Sequence, residues 1–244
     1  MLLASSHHTI SDVSLIIPVY NGSQLLQKHL TPFLAFLQQQ PYTVEVIITD
    51  DGSDDKAATT NFAQSNQLII TGCMQNTGKG AVLKEGFKRA TGNIQIFTDA
   101  DIPFEYENIS RLVMALQKDS ARLIIGDRIH PDSVYFKNAP MLRNMGSSLV
   151  SALVSRFFIT SIYDTQCGLK GMGKKVAKQL FSQMQINRFA IDIELIYLAS
   201  KFKIPIDKMP VQLRSNDKSS VRVIRDGWQL LKDLYRIKKI HGSK

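Results

Sequence analysis

The chain has 244 residues, of which 44% are hydrophobic and 21% charged, and its formal net charge is +9. This composition is typical of a globular domain that buries a hydrophobic core. The sequence contains no run of about 18 apolar residues, which a membrane-spanning helix needs. The cysteines Cys73 and Cys167 have no metal-like spacing and exclude a disulfide-based fold, and residues 1–12 show no signal peptide, so we expect one cytoplasmic domain.

Buried strands alternate with helices through the first half of the chain. Short apolar-rich segments predict strands at residues 13–21, 44–49, 68–71, 94–98 and 121–128, and the first of them is continuous enough to indicate a central parallel strand. Helical periodicity predicts helices between them, at about residues 25–37, 56–66, 82–90 and 108–118. The alternation predicts an α/β fold with a mostly parallel sheet flanked by helices.

Two carboxylates, Asp99 and Asp101, stand where the fourth predicted strand ends. Side chains two apart in an extended or turning segment point the same way, so both can face one space. Hard divalent cations take oxygen ligands, and such a pair is typical of Mg²⁺ or Mn²⁺ bound with substrate phosphates. A solvated turn is the alternative interpretation.

Polar residues also follow the first three strands, at Tyr20 and Asn21, at Asp50 and Asp51, and in the loop 76–80. Ligands of parallel α/β sheets bind at the carboxyl ends of strands. The glycines around Lys79 in that loop would let backbone N–H groups and an ammonium approach phosphate. The pattern predicts a nucleoside-diphosphate site with a metal-assisted leaving group. No Gly-x-Gly-x-x-Gly follows the first strand, which disfavours a dinucleotide-dependent dehydrogenase.

The second half of the chain is less regular. The apolar pattern of residues 141–163 predicts a long helix, either in the core or on a membrane surface. A polar, glycine-bearing loop follows at residues 164–171. Beyond it we predict helices at 174–184 and 195–202, proline-interrupted edge strands at 204–206 and 209–213, and a final basic helix at 223–240.

Positive charge is concentrated near the C-terminus, where residues 199–244 contain twelve lysines or arginines and four aspartates. Such a tail suits nucleic acid, an anionic membrane or a phosphorylated substrate, or it is simply a solvated helix face. Nucleic acid is disfavoured because Trp228 and Tyr235 are the only aromatic residues of the final helix.

The order of motifs resembles the inverting family 2 glycosyltransferases of the GT-A fold. The matching segments are Ile17 to Asn21, Asp50 to Ser53, Asn76 to Gly80 and Thr98 to Asp101. The second half is similar to dolichyl-phosphate glucosyltransferases, with polyprenyl-phosphate mannose synthases close behind, through residues 126–128, 143–144, 164–170 and 188–195. The resemblance covers residues 13–240 and implies a nucleotide-sugar-binding half (13–128) and an acceptor-binding half with the basic C-terminal helix (129–244).

The resemblance also implies roles for individual residues. The donor-binding residues would be Pro18, Tyr20, Asn21, Asp50, Asp51, Lys79, Asp99 and Arg222. Asp99 and Asp101 would hold Mg²⁺ or Mn²⁺, and Arg128 and Arg143 would bind the acceptor phosphate, since guanidinium groups grip phosphate bidentately. Asp101, Asp164 and Asp192 would take part in catalysis.

Some of these assignments have alternatives. Asp164 would orient the acceptor if that acceptor is a lipid phosphate, and would be the base candidate for a hydroxyl acceptor. Helix capping is the alternative for Asp164 and Asp192, and plain exposure is the alternative for Arg222. Two departures from the family pattern, Asp127 in place of serine and Ser219 to Val221 in place of Gly-Ser-Lys, bear on the acceptor and on membrane attachment.

The expected reaction is therefore hexose transfer from UDP-glucose to a polyprenyl phosphate. The alternatives are transfer of mannose from GDP-mannose, a polysaccharide or protein acceptor, and a non-catalytic nucleotide-binding module. Residues 141–163 and the basic C-terminal helix could place the enzyme peripherally on the cytoplasmic face of a membrane.

Overall fold

A computed structural model describes residues 11–134, 164–165, 167–214 and 223–242, with the backbone alone for residues 223–229. Seven strands and seven helices lie within these described residues. In chain order they are β1 (Val13–Val19), α1 (Ser23–Leu37), β2 (Val44–Asp51), α2 (Lys56–Ser65), β3 (Ile69–Cys73), α3 (Lys79–Arg89), β4 (Ile94–Phe97), α4 (Glu107–Lys118), β5 (Leu123–Asp127), β6 (Lys170–Gly173), α5 (Lys174–Phe181), α6 (Ile191–Lys201), β7 (Ile206–Pro210) and α7 (Val223–His241).

The strands form one sheet in the order β3-β2-β1-β4-β6-β5-β7. Every strand is parallel to its neighbours except β6, which is antiparallel to both β4 and β5. The mostly parallel sheet predicted from the sequence is thus confirmed. Because β1, β2 and β4 run in the same direction, the residues that follow them meet at one edge of the sheet.

Both faces of the sheet are covered by helices. Leu15 and Ile17 of β1 pack with α1 and α4 on one face, whereas Ile16 packs with α3, α5 and α6 on the other. This double burial explains why β1 is continuously apolar instead of alternating. A smaller cluster joins α7 to α6 through Leu230, Leu234 and Ile237.

The second half differs from the sequence prediction in two places. The predicted loop 164–171 runs into β6, which fills the gap between β4 and β5 with four buried residues of which only Met172 is a large apolar one. A strand so short and so poor in β-branched residues carries no periodic signal. The two predicted edge strands are one strand, β7, at the edge of the sheet. The predicted helix at 141–163 lies outside the described residues. In the part of the chain that the structure describes, no helix has the length and apolar character to cross a membrane.

Glu194, at the start of α6, ties three segments together in the interior. Its carboxylate is fully buried and accepts the N–H groups of Gln185 and Ile186 at 2.8 and 2.9 Å. It also lies 2.7 Å from Nε2 of His241, the last residue of α7. The C-terminal helix is therefore attached to the same buried carboxylate as the 185–186 segment.

We expect Glu194→Ala to lower the free energy of unfolding by about 3 kcal/mol, because two buried N–H groups and the imidazole lose their partner. Denaturant titration measures this change. Glu85→Ala is the matched control: Glu85 lies on the surface of α3 and pairs with Lys88 at 2.6 Å, so its loss should cost less than about 0.5 kcal/mol. Equal effects of the two substitutions would contradict the anchoring role of Glu194.

Candidate active site

The candidate site lies at the carboxyl-terminal edge of the parallel strands. Val19 at the end of β1 is in register with Asp50 of β2, and Ile16 is in register with Phe97 at the end of β4. Pro18 lies beside Thr49 in that register, and Tyr20 is 52% exposed. The structure thus brings the predicted residues of β1, β2 and β4 to one edge.

Asn21 connects the end of β1 to the loop after β2. Its side-chain amide donates to Asp54 Oδ2 at 3.1 Å, its Oδ1 accepts the Asp54 N–H at 2.8 Å, and its own N–H donates to Ser53 Oγ at 2.9 Å. Its φ of 47° is in the left-handed region, which asparagine tolerates better than most residues. Asn21 therefore holds the end of β1 and the loop after β2 together.

Asp50 and Asp51 are both buried, and they differ in their partners. Asp51 accepts the N–H groups of Thr77 and Gly78 at 2.8 and 2.9 Å, which fixes the loop that precedes α3. Asp50 Oδ1 accepts the Ser53 N–H at 3.0 Å, and its Oδ2 has no hydrogen-bond partner among the described residues. Donor contact for either carboxylate stays a prediction.

The glycines around Lys79 have a different role from the one that the sequence suggested. The N–H groups of Gly80 and Ala81 donate to the carbonyl of Asn187 at 2.8 and 3.1 Å. A Cβ on Gly78 or on Gly80 would lie 2.5 Å from the carbonyl oxygen of Asn187 or Ile186, respectively. The glycines thus allow close packing of α3 against the 186–187 segment, and these amides are not aimed at a phosphate.

A chain of alternating charges runs from the interior to the site edge. Lys170 Nζ donates to Asp192 Oδ1 at 2.6 Å, Lys79 Nζ lies 3.5 Å from Asp192 Oδ2, and Lys79 donates to Asp99 Oδ1 at 2.9 Å. The side chain of Lys170 is fully buried and that of Asp192 nearly so, whereas the Asp99 side chain is 41% exposed. Lys79 therefore contacts both Asp99 and Asp192, which links three of the predicted site residues.

Protonation states in this chain are set by the neighbouring charges. Burial alone would raise the pKa of the Asp192 carboxyl, but the ammonium groups of Lys170 and then Lys79 bring that pKa below its ordinary value. Burial would likewise lower the pKa of Lys79, and Asp192 followed by Asp99 raises it above its ordinary value. Asp192 and Lys79 are therefore both charged at neutral pH, and the Asp192 carboxylate lies between the side chains of Lys170 and Lys79.

Arg128 and Asp164 form a second charged pair beside the site. Asp164 accepts the backbone N–H and Nε–H of Arg128 at 2.8 and 2.9 Å through Oδ2, and the Nη2–H at 2.7 Å through Oδ1. This is a bidentate fork, the strongest geometry for a guanidinium and a carboxylate. Asp164 is nearly buried, so the structure places it as the partner of Arg128 and not as an isolated base.

The segment that carries Asp99 and Asp101 turns sharply after β4. The N–H of Ile102 donates to the carbonyl of Asp99 at 3.0 Å, and Ile102 has a φ of 38°. Within the described residues no group of three or more His, Cys, Asp or Glu side chains could enclose a metal ion. Two carboxylates suit Mg²⁺ or Mn²⁺ when substrate phosphates and water supply the other ligands, so these residues fit a metal shared with a nucleotide.

Two predicted residues, Arg143 and Arg222, lie outside the described residues. Conversely, three residues that the sequence interpretation gave no role border the site: Lys170, Asn187 and Gly168. A Cβ on Gly168 would lie 1.9 Å from Asp99 Oδ2, so only glycine fits beside that carboxylate. A signal for Lys170 did exist, because it is a lone charge between glycines and apolar residues.

The side chain of Cys167 is fully buried. Burial, with a further contribution from the Asp164 carboxylate, raises the pKa of Cys167 to about 12. Cys73 and Cys167 are both free thiols, in agreement with a fold that needs no disulfide.

Comparison with known proteins identifies the family and the fold of this chain. The family model described as "Glycosyl transferase family 2" matches residues 14–181. The dolichyl-phosphate beta-glucosyltransferase of Drosophila melanogaster is 30% identical over 241 residues, which cover 93% of this chain and 74% of the relative. The enzyme of the same name from Saccharomyces cerevisiae is 28% identical over 250 residues, with the same two coverages of 93% and 74%.

Among solved structures, a similar one is glucosyl-3-phosphoglycerate synthase from Mycobacterium tuberculosis in complex with Mn²⁺, UDP-glucose and phosphoglyceric acid. It matches with a TM-score of 0.71 at 16% identity and covers 96% of this chain and 81% of that chain. This likeness shows that the fold is GT-A, as the motif order predicted. With a family model that spans most of its length, the chain belongs to glycosyl transferase family 2 and is a glycosyltransferase.

Proposed function

We propose that this enzyme transfers glucose from UDP-glucose to a dolichyl-type polyprenyl phosphate, with inversion at the sugar C1. The observation that carries the proposal is the position of Asp99 and Asp101 directly after β4, at the edge of the sheet where the Arg128–Asp164 pair follows β5. The curated relatives support the choice of sugar and acceptor, because those quoted above are named dolichyl-phosphate beta-glucosyltransferases.

The proposed binding of the nucleotide-sugar donor rests on the residues at the end of β1 and on Asp99, which Lys79 contacts. The exposed Tyr20 ring, next to Pro18, offers a stacking face for the base, and the half-exposed Asp99 can accept hydroxyl groups of ribose or sugar. UDP is favoured as the nucleotide because the structural neighbour was crystallised with UDP-glucose. Arg222 remains a proposed donor contact.

A divalent metal is part of the proposed chemistry. Asp99 and Asp101 would hold Mg²⁺ or Mn²⁺, and the bound ion would neutralise the departing diphosphate. Structures of the mycobacterial synthase with Mn²⁺ or with Mg²⁺ support this proposal. Lys79 keeps the Asp99 carboxylate in place from the protein side.

A phosphate acceptor suits the described carboxylates better than a hydroxyl acceptor does. The acceptor oxygen of a lipid phosphate is already anionic, so it attacks C1 without a base while the C1–O bond to UDP breaks. Asp164 and Asp192 are both held by cations, and we assign them to positioning. Arg128, oriented by Asp164, would bind the acceptor phosphate together with Arg143.

The test is sugar transfer from a panel of labelled UDP- and GDP-sugars onto dolichyl phosphate, with Mg²⁺ and with EDTA. Lipid-extractable label from UDP-glucose alone, lost with EDTA, is the expected result. Label from GDP-mannose would instead identify a mannose synthase. Donor hydrolysis without lipid product would redirect the search to polysaccharide or protein acceptors, and neither transfer nor hydrolysis would favour a binding module.

We also propose a peripheral contact between α7 and the cytoplasmic face of an anionic membrane. Lys232, Arg236 and Lys239 are exposed on one stripe of α7 with Tyr235, whose side chain is 69% exposed. Basic residues near an anionic membrane surface each contribute about 1 kcal/mol of attraction.

Binding to anionic vesicles should weaken at least about tenfold in the variant Lys232→Glu/Arg236→Glu, and binding of the wild type should be lost near about 1 M salt. Vesicle co-sedimentation measures both. The matched control, Lys28→Glu/Lys118→Glu, reverses two exposed charges on α1 and α4, across the sheet from α7, and should bind as the wild type does. Equal loss in both variants, or no wild-type binding at any salt, would contradict the contact.

A further inference from the structure

Lys170 is a fully buried lysine near the middle of the sheet. It lies in β6, in register with Phe97 of β4 and Ile125 of β5. Its Nζ donates to Asp192 Oδ1 at 2.6 Å and to the Cys167 carbonyl at 2.7 Å, and it lies 5.4 Å from the centroid of the Phe97 ring. These partners and the ring face replace the hydration that the ammonium loses on burial.

Filling this place in the sheet does not by itself require a charge. A hydrocarbon side chain of similar volume often replaces a buried ion without loss of stability when its partner charge is also removed. The neighbours of Lys170 across the sheet are apolar. The charge of Lys170 therefore matters for the two groups that it binds, the Asp192 carboxylate and the Cys167 carbonyl. Each of these groups is connected to Asp99 through one further residue.

The first route runs through Asp192 and Lys79. Lys170 and Lys79 share the Asp192 carboxylate, one on each oxygen, and Lys79 also binds Asp99 at 2.9 Å. Two ammonium groups thus face two carboxylates. Without Lys170, the ammonium of Lys79 would be the single cation between Asp192 and Asp99. It would move towards Asp192, because electrostatic attraction is stronger in the less hydrated interior.

The second route runs through the backbone that precedes β6. Lys170 binds the carbonyl of Cys167, and the next residue is Gly168, against which Asp99 packs. A Cβ at Gly168 would lie 1.9 Å from Asp99 Oδ2, so any shift of this turn changes the space available to the carboxylate. One buried ammonium therefore restrains both neighbours of Asp99.

We propose that Lys170 is a positioning residue for sugar transfer, which holds the Asp99 carboxylate through Asp192 and Lys79 on one side and through Cys167 and Gly168 on the other. The role of Asp99 towards the donor rests on the proposed function. The placement of Asp99 by Lys170 rests on contacts alone and can be measured without substrate.

Lys170→Met tests the proposal, because methionine fills a similar volume without the charge. We expect a folded protein whose kcat falls about 100-fold, since a displacement of about 1 Å at a reacting group has that effect. The KM for the acceptor should change less than about threefold, and a crystal structure should show Lys79 Nζ more than about 4 Å from Asp99, beyond ion-pair range. A merely structural role would lower the melting temperature and leave these values unchanged.

Two further variants complete the test. Lys174→Met removes an exposed lysine four residues along, whose Nζ binds the Thr91 carbonyl at the opposite end of the sheet, and it should behave as the wild type. In Lys170→Met/Asp192→Asn, one ammonium again faces one carboxylate, so the contact between Lys79 and Asp99 should return. If Lys170→Met does not fold, Lys170→Gln, which can still donate to the Cys167 carbonyl, takes its place with an expected loss of about tenfold.

Failure of this inference can be told apart from failure of the proposed function. If the wild type transfers glucose to dolichyl phosphate but Lys170→Met keeps Asp99 in place and retains kcat within about threefold, the positioning role is overturned. If the wild type does not transfer glucose and Asp99 still moves in Lys170→Met, the placement of Asp99 by Lys170 stands and the proposed function fails. Lys170→Met/Asp192→Asn should also bring Asp99 closer to its wild-type position than Lys170→Met does. If it does not, the route through Asp192 is overturned.

Discussion

Asp101→Asn is expected to lower kcat/KM for sugar transfer by at least about 10³-fold, because it removes one of the two hard oxygen ligands proposed for the metal at the diphosphate. The amide is isosteric with the carboxylate, so the turn after β4 should keep its shape. Initial rates at several Mg²⁺ and Mn²⁺ concentrations measure the effect. The concentration of metal that gives half-maximal rate should rise together with the loss of turnover.

The same substitution at Asp119 serves as the control. Asp119 follows α4 and pairs with Arg122 before β5, at the opposite edge of the sheet. Asp119→Asn should keep transfer and metal dependence within about twofold of the wild type, since surface substitutions away from a site change little. Normal turnover by Asp101→Asn would show that Asp101 is not a metal ligand.

The second large effect is expected for Asp164→Asn. Loss of this carboxylate charge releases the guanidinium of Arg128 from its fork, and a mispositioned phosphate-binding group typically costs about 100-fold in rate. We expect the acceptor KM to rise and kcat to fall, while the KM for UDP-glucose stays within about threefold. Kinetics with either substrate varied in turn separate these effects.

An arginine–aspartate pair elsewhere in the sheet provides the matched control. Asp207, near the start of β7, pairs with Arg122, which precedes β5. This pair therefore lies at the end of the strands opposite to the site. Asp207→Asn should leave both KM values unchanged. If Asp164→Asn impairs only the donor KM, Arg128 does not belong to the acceptor site, and if the variant behaves as the wild type, the fork has no part in transfer.

The edge formed by β1, β2 and β4 could be predicted from the sequence because its signals are local. β1, β2 and β4 are short segments rich in apolar residues, each followed by polar residues. Parallel strands then bring those residues together without any knowledge of side-chain contacts. The placement of Asp50, Asp51 and Asp99 at one edge therefore followed from spacing alone.

The other parts of the site depend on contacts between residues far apart in the chain. The glycines at positions 78 and 80 suggested a phosphate cradle, yet their amides bind Asp51 and Asn187. A close approach of two backbones and a bound phosphate both require glycine, so the sequence cannot distinguish them. Likewise β6 carries no apolar periodicity, and the link between Lys170 and Asp192 spans 22 residues.

The central claim is that the edge formed by β1, β2 and β4 binds a nucleotide sugar through a metal held by Asp99 and Asp101. A crystal structure with UDP-glucose and Mn²⁺, with the anomalous signal of manganese recorded, tests it most directly. The account predicts one manganese peak within about 2.5 Å of an Asp101 oxygen, in contact with the diphosphate, and a uracil ring against Tyr20. Manganese or nucleotide bound away from this edge, or nucleotide bound there without metal at saturating Mn²⁺, would contradict it.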